Sequence, residues 1–336
     1  MGHLVAAPDK FRGTADASQA AAAAARGARS AGWTASEVPL ADGGDGLLSA
    51  FQGETLCDEV TGPLGTPVMA EWKLVQNLDN DIVTAIIEMA SASGLLVAGG
   101  EEHNDPIAAS TIGTGELVLR AASLGARRIV VGCGGSATTD GGFGALSVIG
   151  SPEALQGVEL VAACDVTTRF LDAARVFAPQ KGAQPEQVET LTERLARLAE
   201  SYRAEFGVDV TTLAGAGAAG GLAGGLAALG ARIVSGFELV AEFVGLDDHL
   251  AGADLVMTGE GFLDEQSFSG KVVGGVISHV AGRVPILCVA GDVAPNLEPT
   301  GLDVVSLVAR VGLERARAEV VDLIEQVVAE HISARP

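Results

Sequence analysis

Apolar residues near the start of the chain come in short runs, and each run empties into glycine and charged residues. HLVAA breaks at Pro8 and opens into PDKFRGT, which predicts a short strand followed by a loop. SQAAAAAARGARSAG (18–32) then reads as a helix, with Ser18 as the expected N-cap and Gly32 as the expected stop. ASEVPL predicts a second strand, which runs into ADGGDG (41–46), and LLSAF continues as the next helix. This alternation of strand, loop and helix is the order that builds a parallel sheet with ligand loops at the carboxyl ends of its strands.

The pattern changes over residues 55–76, where TLCDEVTGPLGTPVMAEWKLV alternates around the turn signal GPLG and predicts antiparallel ribbon. From 82 to about 250 the pattern is again mixed, with helices expected over 114–125 and 186–206. GADLVMTGEGFLDEQSFSGK (252–271) predicts a strand and another glycine-acid loop. VPILCVAGDV and LDVVSLVA read as buried strands, and an amphipathic helix is expected over 313–332. The N-terminal segment has too few strands to cover its own sheet, so the C-terminal strands are expected to complete it. The expected division is therefore a discontinuous Rossmann-like or flavodoxin-like α/β domain (1–60 plus 270–336) and a central mixed α/β domain (61–269).

Composition narrows the functional classes. A chain of 336 residues fits about two domains. Its 45 glycines follow no repeat and cluster behind apolar runs, which excludes collagen-like and disordered readings. The net charge of −22 argues against nucleic acid and anionic membrane surfaces as partners. It also requires an anionic substrate to be met by local positive charge or by aimed N–H groups. Cys57, Cys133, Cys164 and Cys288 form no CxxC pair and read as reduced thiols. With no apolar signal segment and no stretch long enough to span a membrane, a cytoplasmic protein is expected. The oligomeric state stays open, a homodimer being one option.

Four loops share one composition: PDKFRGT, ADGGDG, GCGGSATTDGG and TGEGFLDEQS. Glycine lets successive main-chain N–H groups converge on an oxyanion, and a helix starting just afterwards adds its positive end. In GCGGSATTDGG the hydroxyls of Ser136, Thr138 and Thr139 are placed to donate to phosphate oxygens, and Asp140 to hold Mg²⁺, accept a proton or cap the next helix. Asp42 has the same capping alternative. Of only four lysines, Lys10, Lys181 and Lys271 sit beside glycine or proline, and Lys181 in FAPQKGA is the expected phosphate contact. No GxxxxGK[ST], GxSxG or paired-histidine spacing occurs. GCGGSA (132–137) fits a loose GxGxxA pattern, which keeps an NAD-dependent dehydrogenase open as an alternative.

Taken together, APDKFRGT, PLADGGDG, EMASASGL, ASTIGTGEL, GCGGSATTDGG, ACDV, FAPQKGA, GAGAAGGLAGGL and TGEGFLDEQSFSGK resemble, in order, the blocks of the bacterial glycerate kinase type I family. The resemblance implies an ATP- and Mg²⁺-dependent kinase that converts D-glycerate to 2-phosphoglycerate, with two α/β domains and an active site in the cleft between them. It implies Asp42 or Asp45 as the general base, with Asp140 also catalytic. Asp9, Arg12, Ser93, Thr114, Asp264 and Gln266 are then expected on the substrate side. Gly134, Gly135, Ser136, Thr138 and Lys181 are expected around the nucleotide phosphates, and Asp140, Asp165 and Glu260 as Mg²⁺ ligands. The chain departs from the family pattern at Arg12, in place of lysine, at Asp45 and Leu47, the latter in place of a hydroxyl residue, at Asn104 and Phe262, in place of arginines, and in a shorter stretch between GSATTDGG and ACDV. Arginine grips carboxylates through two hydrogen bonds, so these departures favour phosphoryl transfer over glycerate itself. They leave open a related kinase with another small substrate, or a metabolite-binding protein.

Overall fold

The computed structural model describes residues 2–44, 46–76, 82–268, 271–297 and 302–335. In chain order the strands are β1 (His3–Ala6), β2 (Thr34–Glu37), β3 (Glu54–Thr61), β4 (Pro67–Gln76), β5 (Val83–Glu88) and β6 (Arg128–Gly132). They continue with β7 (Glu159–Cys164), β8 (Arg232–Ser235), β9 (Leu255–Leu263), β10 (Ile286–Val293) and β11 (Asp303–Ser306). The chain divides into two compact units, Met1–Asp42 with Phe237–Pro336, and Gly43–Gly236.

The first unit is a five-stranded sheet in the order β11-β10-β9-β1-β2, with every pair parallel. Its helices Ala17–Ser30 and Val320–Ser333 bury an alanine face and a Val/Leu/Ile face in one core that includes Leu4, Met257 and Leu287. From β1 the chain crosses to β2 on one side, whereas from β9 it crosses to β10 and β11 on the other. The loops leaving β1 and β9 therefore diverge from neighbouring strands. That is the switch point at which open parallel sheets bind ligands.

The second unit is a six-stranded sheet in the order β3-β4-β5-β6-β7-β8. The predicted ribbon is antiparallel from β3 through β5, and the remaining pairs are parallel. The helices Ile112–Ser123 and Pro185–Phe206 match the predicted segments to within two residues at each end.

Several expectations are corrected. The division between units falls at Asp42/Gly43 and Gly236/Phe237, because β3 pairs within the second sheet and β9 pairs with β1 in the first. Asp16 rather than Ser18 caps the first helix: its carboxylate accepts from the Gln19 amide at 2.7 Å, and Gln19 Oε1 accepts from the Asp16 amide at 3.0 Å. The long C-terminal helix is instead two, Leu313–Ala318 and Val320–Ser333. Cys133, Cys164 and Cys288 are free and buried, and Cys57 is free and exposed. Among the described residues no helix is long and apolar enough to cross a membrane.

Candidate active site

The switch point of the first unit opens into a cavity of about 680 Å³. Sheet pairing brings its walls together. The amide of Asp9, just past β1, donates to Gly259 O of β9 at 2.9 Å, and the amide of Leu40 donates to Pro8 O at 3.0 Å, which carries the strand leading to Asp42 alongside. Phe11, buried beneath the loop, exchanges main-chain hydrogen bonds with Ala15 and pins the turn that presents Arg12. Gly259 permits the close approach of β9 to β10: a Cβ there would stand 1.8 Å from Val289 O.

Carboxylates and cations share this cavity. Asp9, Asp42, Glu260, Asp264 and Asp292 line it together with Lys10, Arg12, Lys271 and Arg317. Burial, and next the charge of Asp42, push the Asp9 carboxyl up to about 7, even though Lys10 and its main-chain amide pull the other way. That amide donates to Asp9 Oδ1 at 2.7 Å. Burial likewise raises Glu260, whose Oε1 has no hydrogen-bond partner among the described residues. Arg12, Lys271 and Arg317 make no ion pair among the described residues, although the charge of Lys271 acts on Glu260.

Of the residues expected on the substrate side, Asp9, Arg12 and Asp264 meet here, joined by Asp42 and Glu260. Gln266 is exposed and does not line the cavity; its amide donates to Asp264 Oδ1 at 2.8 Å as part of a tight turn. Asp45 lies outside the described residues. Asp292 and Arg317 were not anticipated. The glycine-acid composition that singled out the other loops also marks AGDV at the end of β10, whereas nothing local distinguishes Arg317 from other helix-surface arginines.

The second unit carries the other cluster, after β6. Gly134 is half-exposed and Gly135 exposed, the latter at φ 65°. Among the described residues nothing accepts a hydrogen bond from the amides of Gly134, Gly135 or Ser136. The loop is tied down from behind, with the Leu95 amide donating to Gly135 O at 2.8 Å and the Ala137 amide to Ser93 O at 3.0 Å. Lys181 is buried, and its Nζ donates to Ser136 Oγ and to Thr138 O, each at 2.7 Å. Burial lowers its ammonium to about 7, and the Asp140 charge partly opposes this.

Ser93 and Thr114, expected on the substrate side with Asp9 and Arg12, lie in this second unit instead: their Oγ and Oγ1 are 2.9 Å apart, fully buried, and satisfy each other. Thr138 is fully buried and its hydroxyl points to Ala219 O at 3.5 Å, away from the open amides. Asp140 is spent on the fold: Oδ2 accepts from the Thr111 amide and hydroxyl, each at 2.8 Å, and from the Gly144 amide at 3.1 Å, while Oδ1 accepts from the Gly142 amide at 3.0 Å. The carboxylate thus caps the helix Phe143–Ile149 and has no room for a metal. Asp165 follows β7, half-buried and already engaged. Among the described residues no three His, Cys, Asp or Glu side chains are grouped to hold a metal ion. Because β6 ends at Gly132 and the next helix starts only at Phe143, GCGGSA also lacks the strand-turn-helix geometry of a dinucleotide site.

The departures separate in the same way. Leu47 is fully buried at the start of the helix Leu47–Ala50 and faces no open site. Asn104 Nδ2 donates to Ala137 O at 3.1 Å and Lys181 O at 2.9 Å, bracing the amide loop against the lysine segment. Of these three, Phe262 alone faces the cavity, 51% exposed.

A parallel-sheet switch point lined with charge, together with a loop of open amides, defines an α/β enzyme of anionic substrates. Comparison with known proteins refines that class: the sequence profile of the glycerate kinase family matches residues 4–153 and 150–334. Glycerate 2-kinase of Escherichia coli K12 is 37% identical over 334 residues, covering 88% of this chain and 86% of its own. Glycerate kinase of Halalkalibacterium halodurans is 36% identical over 371 residues, covering 97% and 96%. A crystallised chain from Salmonella typhimurium LT2, described provisionally as glycerate kinase 2, superposes with a TM-score of 0.82 at 34% identity over 98% of both chains. The chain belongs to the glycerate kinase family. With membership comes the reaction class, transfer of a phosphoryl group to glycerate with ATP as donor.

Proposed function

We propose that the chain phosphorylates D-glycerate at the 2-hydroxyl, with Asp9 as the general base. The observation that carries this reading is the buried Asp9 carboxyl, raised to about 7 inside a cavity that also holds Arg12, Lys271 and Arg317. A base is most effective when its pKa lies near the working pH, and Asp9 has that property. Asp42 keeps Asp9 basic through its charge, a supporting role in place of the base role expected from the sequence.

In this reading Arg12, Lys271 and Arg317 attract the acid's carboxylate, leaving its hydroxyl toward Asp9. The hydroxyl oxygen bonds to the terminal phosphorus of ATP, the bond from that phosphorus to its bridging oxygen breaks, and the hydroxyl proton passes to Asp9. ADP leaves. The amides of Gly134, Gly135 and Ser136, with Lys181 behind them, receive phosphate oxygens, since phosphoryl transfer asks chiefly for positioning and charge neutralisation. Arrival of a phosphate also favours the charged form of Lys181 that burial disfavours.

Mg²⁺ needs only one or two carboxylates because it keeps several waters. Glu260, with its unpartnered Oε1, fits that role, whereas Asp140, with four donors on its two oxygens, does not. Bound there, the ion would neutralise charge on the phosphates. We place the protein in the cytoplasm, where ATP is plentiful and four free thiols stay reduced.

The test is ADP release with D-glycerate, L-glycerate and other small hydroxy acids, with ³¹P NMR locating the new ester. Release with D-glycerate and a 2-phosphate signal is the expected result. A folded, ATP-binding protein that releases no ADP with glycerate contradicts the reading.

A further inference from the structure

The cavity of the first unit is larger and more apolar than a three-carbon acid requires. At about 30 Å³ per water, 680 Å³ holds roughly twenty waters, a volume in the range of sites for much larger ligands. Its lining mixes the charged groups above with Phe262 and with Val308, Leu313, Ala316 and Val320 from the C-terminal helices. Phe262 is 51% and Leu313 49% exposed, so two of the protein's most exposed large apolar side chains face one cavity. Large apolar side chains left open beside charged groups mark ligand surface. Phe262 lines the same cavity as Asp9 and Arg12, the residues placed on the acceptor side of the reaction.

We infer that this site accepts 2-hydroxy acids carrying an apolar substituent on C3, and phosphorylates their 2-hydroxyl as it does that of glycerate. The inference rests on the kinase reading above and extends its substrate class. The charged groups take the carboxylate and hydroxyl common to all these acids. The substituent lies against Phe262 and Leu313, where an arginine at position 262 would hold charge and water. The bond changes are those of glycerate phosphorylation: a C–O–P ester forms, the terminal bridging bond of ATP breaks, and the hydroxyl proton goes to Asp9.

The test measures kcat/KM for D-glycerate and for both enantiomers of 3-phenyllactate and of 2-hydroxy-4-methylpentanoate, in the native chain and in Phe262→Arg. A hydrophobic contact of this kind discriminates by about tenfold or more. The expected result is turnover of at least one extended acid by the native chain, with its kcat/KM relative to glycerate falling about tenfold or more in Phe262→Arg. Leu313→Glu, on a different element, gives the same readout should Phe262→Arg fail to fold. Glycerate turnover without turnover of any extended acid overturns the inference and leaves the glycerate kinase reading intact. An unchanged ratio, with KM for ATP raised and ATP-over-GTP preference lost, shows that these apolar side chains hold the nucleobase and also overturns it. Absence of turnover with every acid, glycerate included, overturns both readings.

Discussion

At Asp9 and Asp140 the same side chain is put to opposite uses by its surroundings. Asp9 keeps a protonatable carboxyl because few donors reach it, and one main-chain amide does not offset burial beside Asp42. Asp140 is saturated by four donors. Asp9→Asn should lower kcat by about 10²–10⁴-fold, the usual contribution of a general base, while ATP still protects the protein against thermal unfolding. Turnover that survives the change removes Asp9 from the chemistry. For Asp140→Asn the prediction concerns the fold: an amide nitrogen would face main-chain donors, at a cost of about 1–3 kcal/mol, measurable by urea unfolding. Sequence alone supports the reverse expectation, lost turnover in an intact fold. The letters TTDGG mark an aspartate near a helix start but not the Thr111 hydroxyl, 29 positions earlier in the chain, that engages it. Both are aspartates in glycine-rich loops; burial and donor count are tertiary properties that tell them apart.

Elements were legible where their periodicity was strong. The antiparallel ribbon, the helix over 185–206 and the short strands at both chain ends follow from alternation or helical spacing alone. The helix break before Val320 did not, because Arg317, Ala318 and Glu319 all suit a continuous helix. Between helices, His279 of Val272–Val280 joins two others. Its Nδ1 lies 2.9 Å from Asp247 Oδ1 on Leu246–Leu250, its Nε2 3.2 Å from Glu238 Oε2 on Gly236–Phe243, and its ring meets Phe237 edge-on at 5.5 Å. Burial pulls this imidazole down, but the hydrogen bonds and charges of Asp247 and Glu238 outweigh it and hold the ring above its usual value of 6.5. The clamp is complete below the unfolded value and is lost as pH rises through the higher folded one. The native chain should thus lose about 0.2–1 kcal/mol of stability on going from about pH 6 to pH 8 relative to His279→Gln. Parallel pH profiles of Tm for the two proteins contradict the clamp. In the other unit, Lys181→Met keeps the bulk under the amide loop but removes both 2.7 Å bonds. KM for ATP should rise at least about tenfold, equivalent to about 1.4 kcal/mol of binding, with a smaller effect on kcat. An unchanged KM shows that the lysine only fills space.

For the molecule as a whole, the blocks spread along the chain identified the family, while the pattern of strands could not place the boundaries between units. Strand β9 reads like any buried strand, and only its pairing with β1 assigns it to the first sheet. In a protein of net charge −22, the cavity gathers Lys10, Arg12, Lys271 and Arg317 among its carboxylates, cations that an anionic substrate needs. ATP should stabilise the fold in proportion to the logarithm of its concentration above Kd, by about 2.7 kcal/mol at a hundredfold excess, read as a rise in Tm, whereas NAD(H) should leave Tm unmoved. Stabilisation by NAD(H) instead would restore the dinucleotide reading. The place where the chain leaves and re-enters the second unit carries a consequence of its own. A methyl group added at Gly43 would stand 2.8 Å from the Cα of Gly236, so the 43–236 segment begins and ends at one point. A segment built that way is a cassette: it can be spliced out or exchanged where its two ends meet, leaving Asp9 and Phe262 on the host and taking the amide loop with the insert.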